Sequence, residues 1–70
     1  MKDLPYKITT KKLEYGAEKW CIANFGERWF PIGRKSGNWS CMWAGKDDRK
    51  HYHWYFRYEK DALFFSLRWL

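Results

Sequence analysis

Residues 51–69 read "HYHWYFRYEKDALFFSLRW", and this stretch predicts a strand followed directly by a helix. In the first half, side chains alternate between two faces of a strand. One face carries Tyr52, Trp54, Phe56 and Tyr58, and the other carries His51, His53, Tyr55 and Arg57. The second half has apolar residues at helical spacing, Asp61 where the first turn would lie and Arg68 near the end, as the helix dipole favours. The apolar face of this helix is broad enough that we expect it to pack on the sheet.

Two further elements are predicted near the N-terminus. The alternation in "YKITT" (6–10) favours a short strand with one buried face. Apolar residues from Leu13 to Phe25 recur at helical spacing, most regularly from Ala17 onward. Gly26 is the expected end of this helix, because glycine adopts the left-handed conformation at little cost.

The middle of the chain predicts a hairpin. The stretches "RWFPIG" (28–33) and "NWSCMW" (38–43) flank "RKSG", in which Gly37 would supply a positive φ. Pro31 cannot donate to a ladder, so the first of these strands is expected at an edge of the sheet. The stretch "AGKDDRK" (44–50) predicts a polar loop leading into residues 51–58.

Together these elements predict one α+β domain over residues 1–70. The expected order is β-α-β-β-β-α, with a small antiparallel sheet of three to four strands and two helices on one face. A chain of 70 residues has little room for a core, and its six Trp, five Tyr and five Phe would supply large buried area. The predicted core consists of Trp20, Phe25, Trp39, Trp43, Trp54, Phe56, Phe65 and Trp69.

Composition narrows the class of protein. No apolar run approaches the roughly 20 residues that cross a bilayer, so no membrane association is expected. Two cysteines are too few for a disulfide scaffold and no signal-like segment opens the chain, which predicts a reduced, cytoplasmic protein. The formal net charge is +6, and its excess lies between Arg28 and Arg57, which favours acidic partners.

The residues that could carry chemistry do not form a convincing site. Cys21, Cys41, His51 and His53 are zinc-ligand types, but they lack the close pairing of structural zinc sites. Both cysteines fall on predicted core faces, where a thiol is inert. No phosphate-binding glycine loop is present, since "GRKSG" lacks the Walker spacing and the following helix. We therefore predict no metal, no cofactor and no enzymatic activity.

A binding function is the alternative that the residues favour. Basic side chains near aromatic ones suit nucleic acid, because bases stack on aromatic rings while cations contact phosphates. The candidate contact residues are Arg34, Lys35, Arg49, Lys50, Tyr55 and Arg57. The same residue types also anchor protein interfaces, so a protein partner remains open. Salt would separate the two, because phosphate contacts weaken steeply as salt rises.

Two segments carry a resemblance. "WCIANFGERW" (20–29) and "DALFFSLRW" (61–69) resemble patterns in short open reading frames of tailed bacteriophages, whose chains often finish with D-A-x-x-F-x-L-R-W. The resemblance covers about half of the chain and implies a shared fold more than a shared activity. It implies a small phage accessory protein in the host cytoplasm that binds nucleic acid, or one that inhibits a host protein. A structural, self-associating virion component is a third possibility.

Overall fold

A computed structural model describes residues 2–11, 16–33 and 35–70, with the backbone but not the side chain of Arg49. Within these residues the elements are β1 (Tyr6–Lys11), α1 (Gly16–Phe25), β2 (Trp39–Gly45), β3 (Asp48–Phe56) and α2 (Glu59–Trp69). The strands form one antiparallel sheet in the order β1-β3-β2. The predicted small α+β fold is confirmed. Neither described helix is long and apolar enough to span a bilayer.

The central strand β3 organises the sheet because both neighbours pair with it. Trp54 lies opposite Ile8 of β1 and opposite Cys41 of β2. The alternation then divides the sheet into two faces. We call the face that carries Trp54 and Phe56 the inner face, and the face that carries His53 and Tyr55 the outer face.

Both helices cover the inner face. Phe65 of α2 is fully buried, with its ring centroid 4.8 Å from that of Trp54 and 5.2 Å from that of Phe56. Helix α1 contributes Ala17 and Cys21 to the same cluster. The indole N–H of Trp54 donates to Thr10 Oγ1 at 2.9 Å, so the ring is buried with its polar atom satisfied.

The predicted core is confirmed in its centre. Trp39, Trp54, Phe56 and Phe65 are buried, whereas the other four predicted residues are half-buried: Trp20, Phe25, Trp43 and Trp69. Trp20, Phe25 and Trp69 still pack against the buried cluster. The fully buried Leu4, which precedes β1, was not predicted.

Both helix ends follow from their residues. Gly26 has a φ of 85°, and its N–H donates to the carbonyl of Ile22 at 3.0 Å, which ends α1 as predicted. Helix α2 has Glu59 and Asp61 in its first turn and Arg68 in its last. Helix α1 is described from Gly16, and Leu13, the first apolar residue of the predicted helical pattern, lies outside the described residues.

The predicted edge strand at 28–33 is wrong in its details. Arg28 makes an isolated parallel bridge with Trp39, and the N–H of Trp29 donates to the Trp39 carbonyl at 2.7 Å. Gly37 does not have the predicted positive φ. Glycine is needed there for space, since a Cβ at Gly37 would lie 2.4 Å from the backbone N of Trp29.

The predicted polar loop at 44–50 is also wrong. Strand β2 continues to Gly45 and β3 begins at Asp48, so the hairpin joins β2 to β3 through Lys46 and Asp47. The carboxylate of Asp48 accepts the backbone N–H of Lys50 at 2.9 Å, which supports the strand start. A register shift lies in β2 between Trp43 and Gly45.

Candidate functional site

The outer face of the sheet is the surface that neither helix covers. Antiparallel pairing sets its side chains in cross-strand rows, and the first row joins Lys7, Tyr55 and Ser40. The second row joins Thr9, His53 and Met42, and the third pairs Lys11 with His51. Directly opposed side chains lie about 5 Å apart at Cβ. In the first row Lys7 is exposed and Tyr55 half-buried, so one ligand could touch both, whereas Ser40 is buried.

Two contacts fix the middle of the outer face. A hydrogen bond of 2.9 Å joins Thr9 Oγ1 and His53 Nδ1 across β1 and β3. The His53 ring also meets the Tyr55 ring edge to face, with centroids 6.1 Å apart. Thr9 and Tyr55 thus contact the His53 ring from two sides. The half-buried Tyr55 ring, which lies against His53, therefore keeps a defined orientation.

The electrostatics of the outer face are cationic. Lys7 and Lys11 are exposed, and among the described residues no carboxylate lies within ion-pair distance of either ammonium group. The nearby carboxylate of Asp48 already has a partner, because its Oδ2 lies 3.0 Å from Nδ1 of His51. The Lys50 backbone N–H, and then His51, hold the pKa of Asp48 below its usual value. The lysine charges therefore remain available to an anionic ligand.

The six residues predicted as contacts fall in different places. Tyr55 lies on the outer face, and Lys35 and Lys50 are exposed. The alternation of β3 puts Lys50 on the same side as Tyr52 rather than with Tyr55. Arg34 lies outside the described residues, and of Arg49 only the position within β3 is described.

Arg57, the sixth predicted contact residue, uses its guanidinium group for hydrogen bonds within the fold. Its Nε donates to Asn38 Oδ1 at 3.1 Å, and its Nη2 donates to the carbonyls of Lys35 and Gly37, both at 3.0 Å. The backbone N–H of Arg57 also donates to the Asn38 carbonyl at 2.9 Å. Its guanidinium therefore holds the loop before β2, although its charge still adds to the positive field.

Sequence reasoning placed His53 on this face but missed three residues that the fold brings to the site: Lys7, Lys11 and Arg28. The alternation of β1 sets Lys7 and Lys11 on one side, but only the pairing of β1 with β3 places them beside Tyr55 and His51. Arg28 borders the face at β2, where its Nε donates to Ser40 Oγ at 3.4 Å and its Nη2 to the Cys41 carbonyl. Its guanidinium also lies 5.0 Å from the Phe30 ring centroid.

An open depression of about 390 Å³ lies at the hairpin beside this face, lined by Met42, Trp43, Gly45 and Lys46. The ring of Trp43 stacks on that of Tyr52 at a centroid distance of 4.2 Å. A planar group could enter next to Trp43 with an ammonium group nearby. Trp43 and Tyr52 belong to the inner side of the sheet, so the depression lies at the hairpin end and is separate from the row of Lys7 and Tyr55.

The groups considered for metal binding or catalysis do not converge. Among the described residues no three His, Cys, Asp or Glu side chains are grouped to hold a metal ion. Cys21 and Cys41 lie on the inner side of the sheet, whereas His53 lies on the outer face. Burial raises the pKa of Cys41 to about 12 and moves that of Cys21 further above its usual range. Both thiols stay protonated near neutral pH, which makes them poor ligands and poor nucleophiles.

No family model, curated protein or solved structure matches this chain.

Proposed function

We propose that this protein binds nucleic acid with unpaired bases through the outer face of its sheet. The observation that carries the proposal is the cross-strand pair of Lys7 and Tyr55 on a face that neither helix covers. Here a half-buried aromatic ring has an exposed ammonium group as its direct neighbour, with no carboxylate of the described residues within ion-pair distance of it. That pairing of ring and cation is the chemistry that single-stranded nucleic acid requires.

The mechanism divides the contact between two kinds of side chain. An unstacked base lies against Tyr55, and each such stack contributes about 1–3 kcal/mol. Lys7, directly opposite Tyr55, contacts the phosphate next to that base, and Lys11, four residues further along β1 and about 13 Å away, contacts a phosphate beyond His53. His53, held by Thr9, offers a hydrogen-bonding ring nitrogen to a base or a sugar.

Further basic residues add to the positive charge of the protein that carries this surface. Lys35 and Lys50 are exposed, and Arg34 and Arg49 belong to the same part of the sequence. In this proposal they strengthen the attraction of the phosphate backbone to the protein through the net charge of +6. The protein then acts as a small accessory binding protein rather than an enzyme, in keeping with the phage resemblance of its sequence.

The proposal is tested with two variants of equal charge. Lys7→Glu/Lys11→Glu reverses two charges on the outer face, and Lys2→Glu/Lys60→Glu reverses two exposed charges elsewhere. Binding of a fluorescent oligothymidylate of about 15 nucleotides is followed by anisotropy over a range of salt concentrations. We expect the outer-face variant to bind at least about tenfold more weakly, with a salt slope reduced by about 1.4 for two lost phosphate contacts. Equal losses in the two variants would show that only net charge matters and would contradict the proposal.

The stacking contact is tested separately with Tyr55→Leu. The matched control is Tyr58→Leu, because Tyr58 is exposed but lies after the end of β3. Loss of one stack predicts binding about 5- to 150-fold weaker for Tyr55→Leu and little change for the control. Binding to a host protein is the competing function. Capture of a protein with little dependence on salt, and no oligonucleotide binding, would favour it instead.

A further inference from the structure

His53 lies in the middle row of the outer face, between two lysines of β1. Thr9 is directly opposite it on β1, and Met42 is opposite it on β2. The exposed Lys7 and Lys11 are its diagonal neighbours, at positions about 7–8 Å away that long side chains can bridge. Among the described residues no carboxylate lies within ion-pair distance of the His53 ring. A proton on this ring would therefore add a cation that no described acid is paired with.

Neither helix covers this face, so the other groups around His53 come from the strands and their borders. Strand β2 contributes the uncharged Ser40 and Met42 to this side. Other charged or titratable groups on or beside the face are Tyr55, His51, Asp48, Arg28 and Arg57. The acid in this set, Asp48, already holds His51, with Oδ2 3.0 Å from Nδ1. Its carboxylate also repels a phosphate, which distinguishes the surroundings of His51 from those of His53.

The hydrogen bond of 2.9 Å between His53 Nδ1 and Thr9 Oγ1 is compatible with a charged ring. A hydroxyl group can accept a hydrogen bond as well as donate one, so Nδ1 can carry a proton without loss of this contact. In the charged ring the second nitrogen, Nε2, is a donor too. Histidine is the side chain whose charge ordinarily changes between about pH 5 and 8. The outer face can therefore gain a cation at its centre without a change of fold.

We propose that nucleic acid binding by the outer face is coupled to protonation of His53, so that the affinity rises as the pH falls. This inference rests on the binding function proposed above, in which Lys7 and Lys11 contact phosphates on the two sides of His53. In the free protein the two ammonium groups repel a proton on the ring, whereas bound phosphates offset that repulsion and attract the charged ring. Binding therefore favours the charged form. Its contribution to the affinity is present at low pH and is lost as the pH rises through the range in which the ring loses its proton.

The coupling is measured with His53→Gln, and His51→Gln is the matched control. Anisotropy of a fluorescent oligothymidylate is followed at about pH 5.5 and about pH 7.5, a range in which histidine titrates and thymine does not. For the parent we expect an affinity about 3- to 10-fold higher at the lower pH, with a salt slope steeper by up to about 0.7 for one added phosphate contact. His53→Gln should lose both differences. His51→Gln should keep most of each, because Asp48 repels phosphate from that position. Circular dichroism at both pH values confirms that the variants are folded.

A second measurement uses the parent protein and needs no variant. The chain has two histidines, so proton NMR can follow both rings across about pH 5–8, with and without oligothymidylate. We expect bound oligonucleotide to move the midpoint of the His53 titration to higher pH, and that of His51 by less. Equal affinity at the two pH values, or a pH dependence that His53→Gln retains, would overturn the coupling and leave the binding function in place. Absence of oligothymidylate binding at both pH values would overturn the two proposals together.

Discussion

At the scale of single residues, Arg57 connects the end of β3 to the loop that precedes β2. Its three side-chain hydrogen bonds go to Asn38, Lys35 and Gly37. The planar guanidinium group, whose donors have a fixed geometry, therefore holds this loop against the end of β3. From the sequence, Arg57 was an outer-face cation next to Tyr55 and therefore a predicted contact. Alternation along a strand gives the side on which a residue lies, but it does not show whether a loop returns to that side and accepts its hydrogen bonds.

Arg57→Ala is expected to lower the free energy of unfolding by about 2–3 kcal/mol, because it removes charge-assisted hydrogen bonds and leaves carbonyls unpaired. Arg57→Lys should lose most of the same stability, since an ammonium group cannot reproduce the fork. Urea denaturation measures both. Lys35→Ala is the control, because Lys35 contributes only its carbonyl to the contact, and it should unfold like the parent. A parent-like Arg57→Ala would show that the loop is held by other contacts.

At the scale of elements, the strand β3 and the helix α2 could be predicted because several independent signals agree. The period of two gives way to helical spacing after Tyr58, and the charges of Asp61 and Arg68 match the helix dipole. In the segment 28–33 the sequence signals do not agree with one another in this way. Its aromatic residues suit a strand, yet the chain there makes an isolated bridge along β2. Gly37 reads as a turn residue in sequence, although its role is to let the loop approach Trp29.

The packing of α2 on the sheet is tested by Phe65→Ala, which should cost roughly 3–5 kcal/mol because it leaves a cavity between Trp54 and Phe56. A domain of this size has a total stability of about 5 kcal/mol, so the variant should be close to unfolding at room temperature. Thermal and urea unfolding followed by circular dichroism measure the change at low protein concentration. Ile32→Ala, at a position 89% exposed, should leave the transition in place. A Phe65→Ala transition at the parent's midpoint would be incompatible with the packing described.

At the scale of the whole molecule, the two faces of the sheet differ in which side chains they carry. The inner face buries large rings under the helices, and the outer face keeps cations and Tyr55 accessible. Pattern and composition predicted this division and the placement of Tyr55. They could not predict that Lys7 and Lys11 belong to the site, because the pairing of β1 with β3 joins residues more than 40 positions apart. Such long-range register is set by the packed fold and leaves no local signal in β1.

The central claim is that the outer face receives the nucleic acid, and an NMR titration of the ¹⁵N-labelled protein with an oligothymidylate tests it most directly. The account predicts that the largest amide shift changes occur at Lys7, Thr9, His53 and Tyr55, with little change along α2. Shift changes concentrated on α2, or no changes at millimolar oligonucleotide, would contradict it.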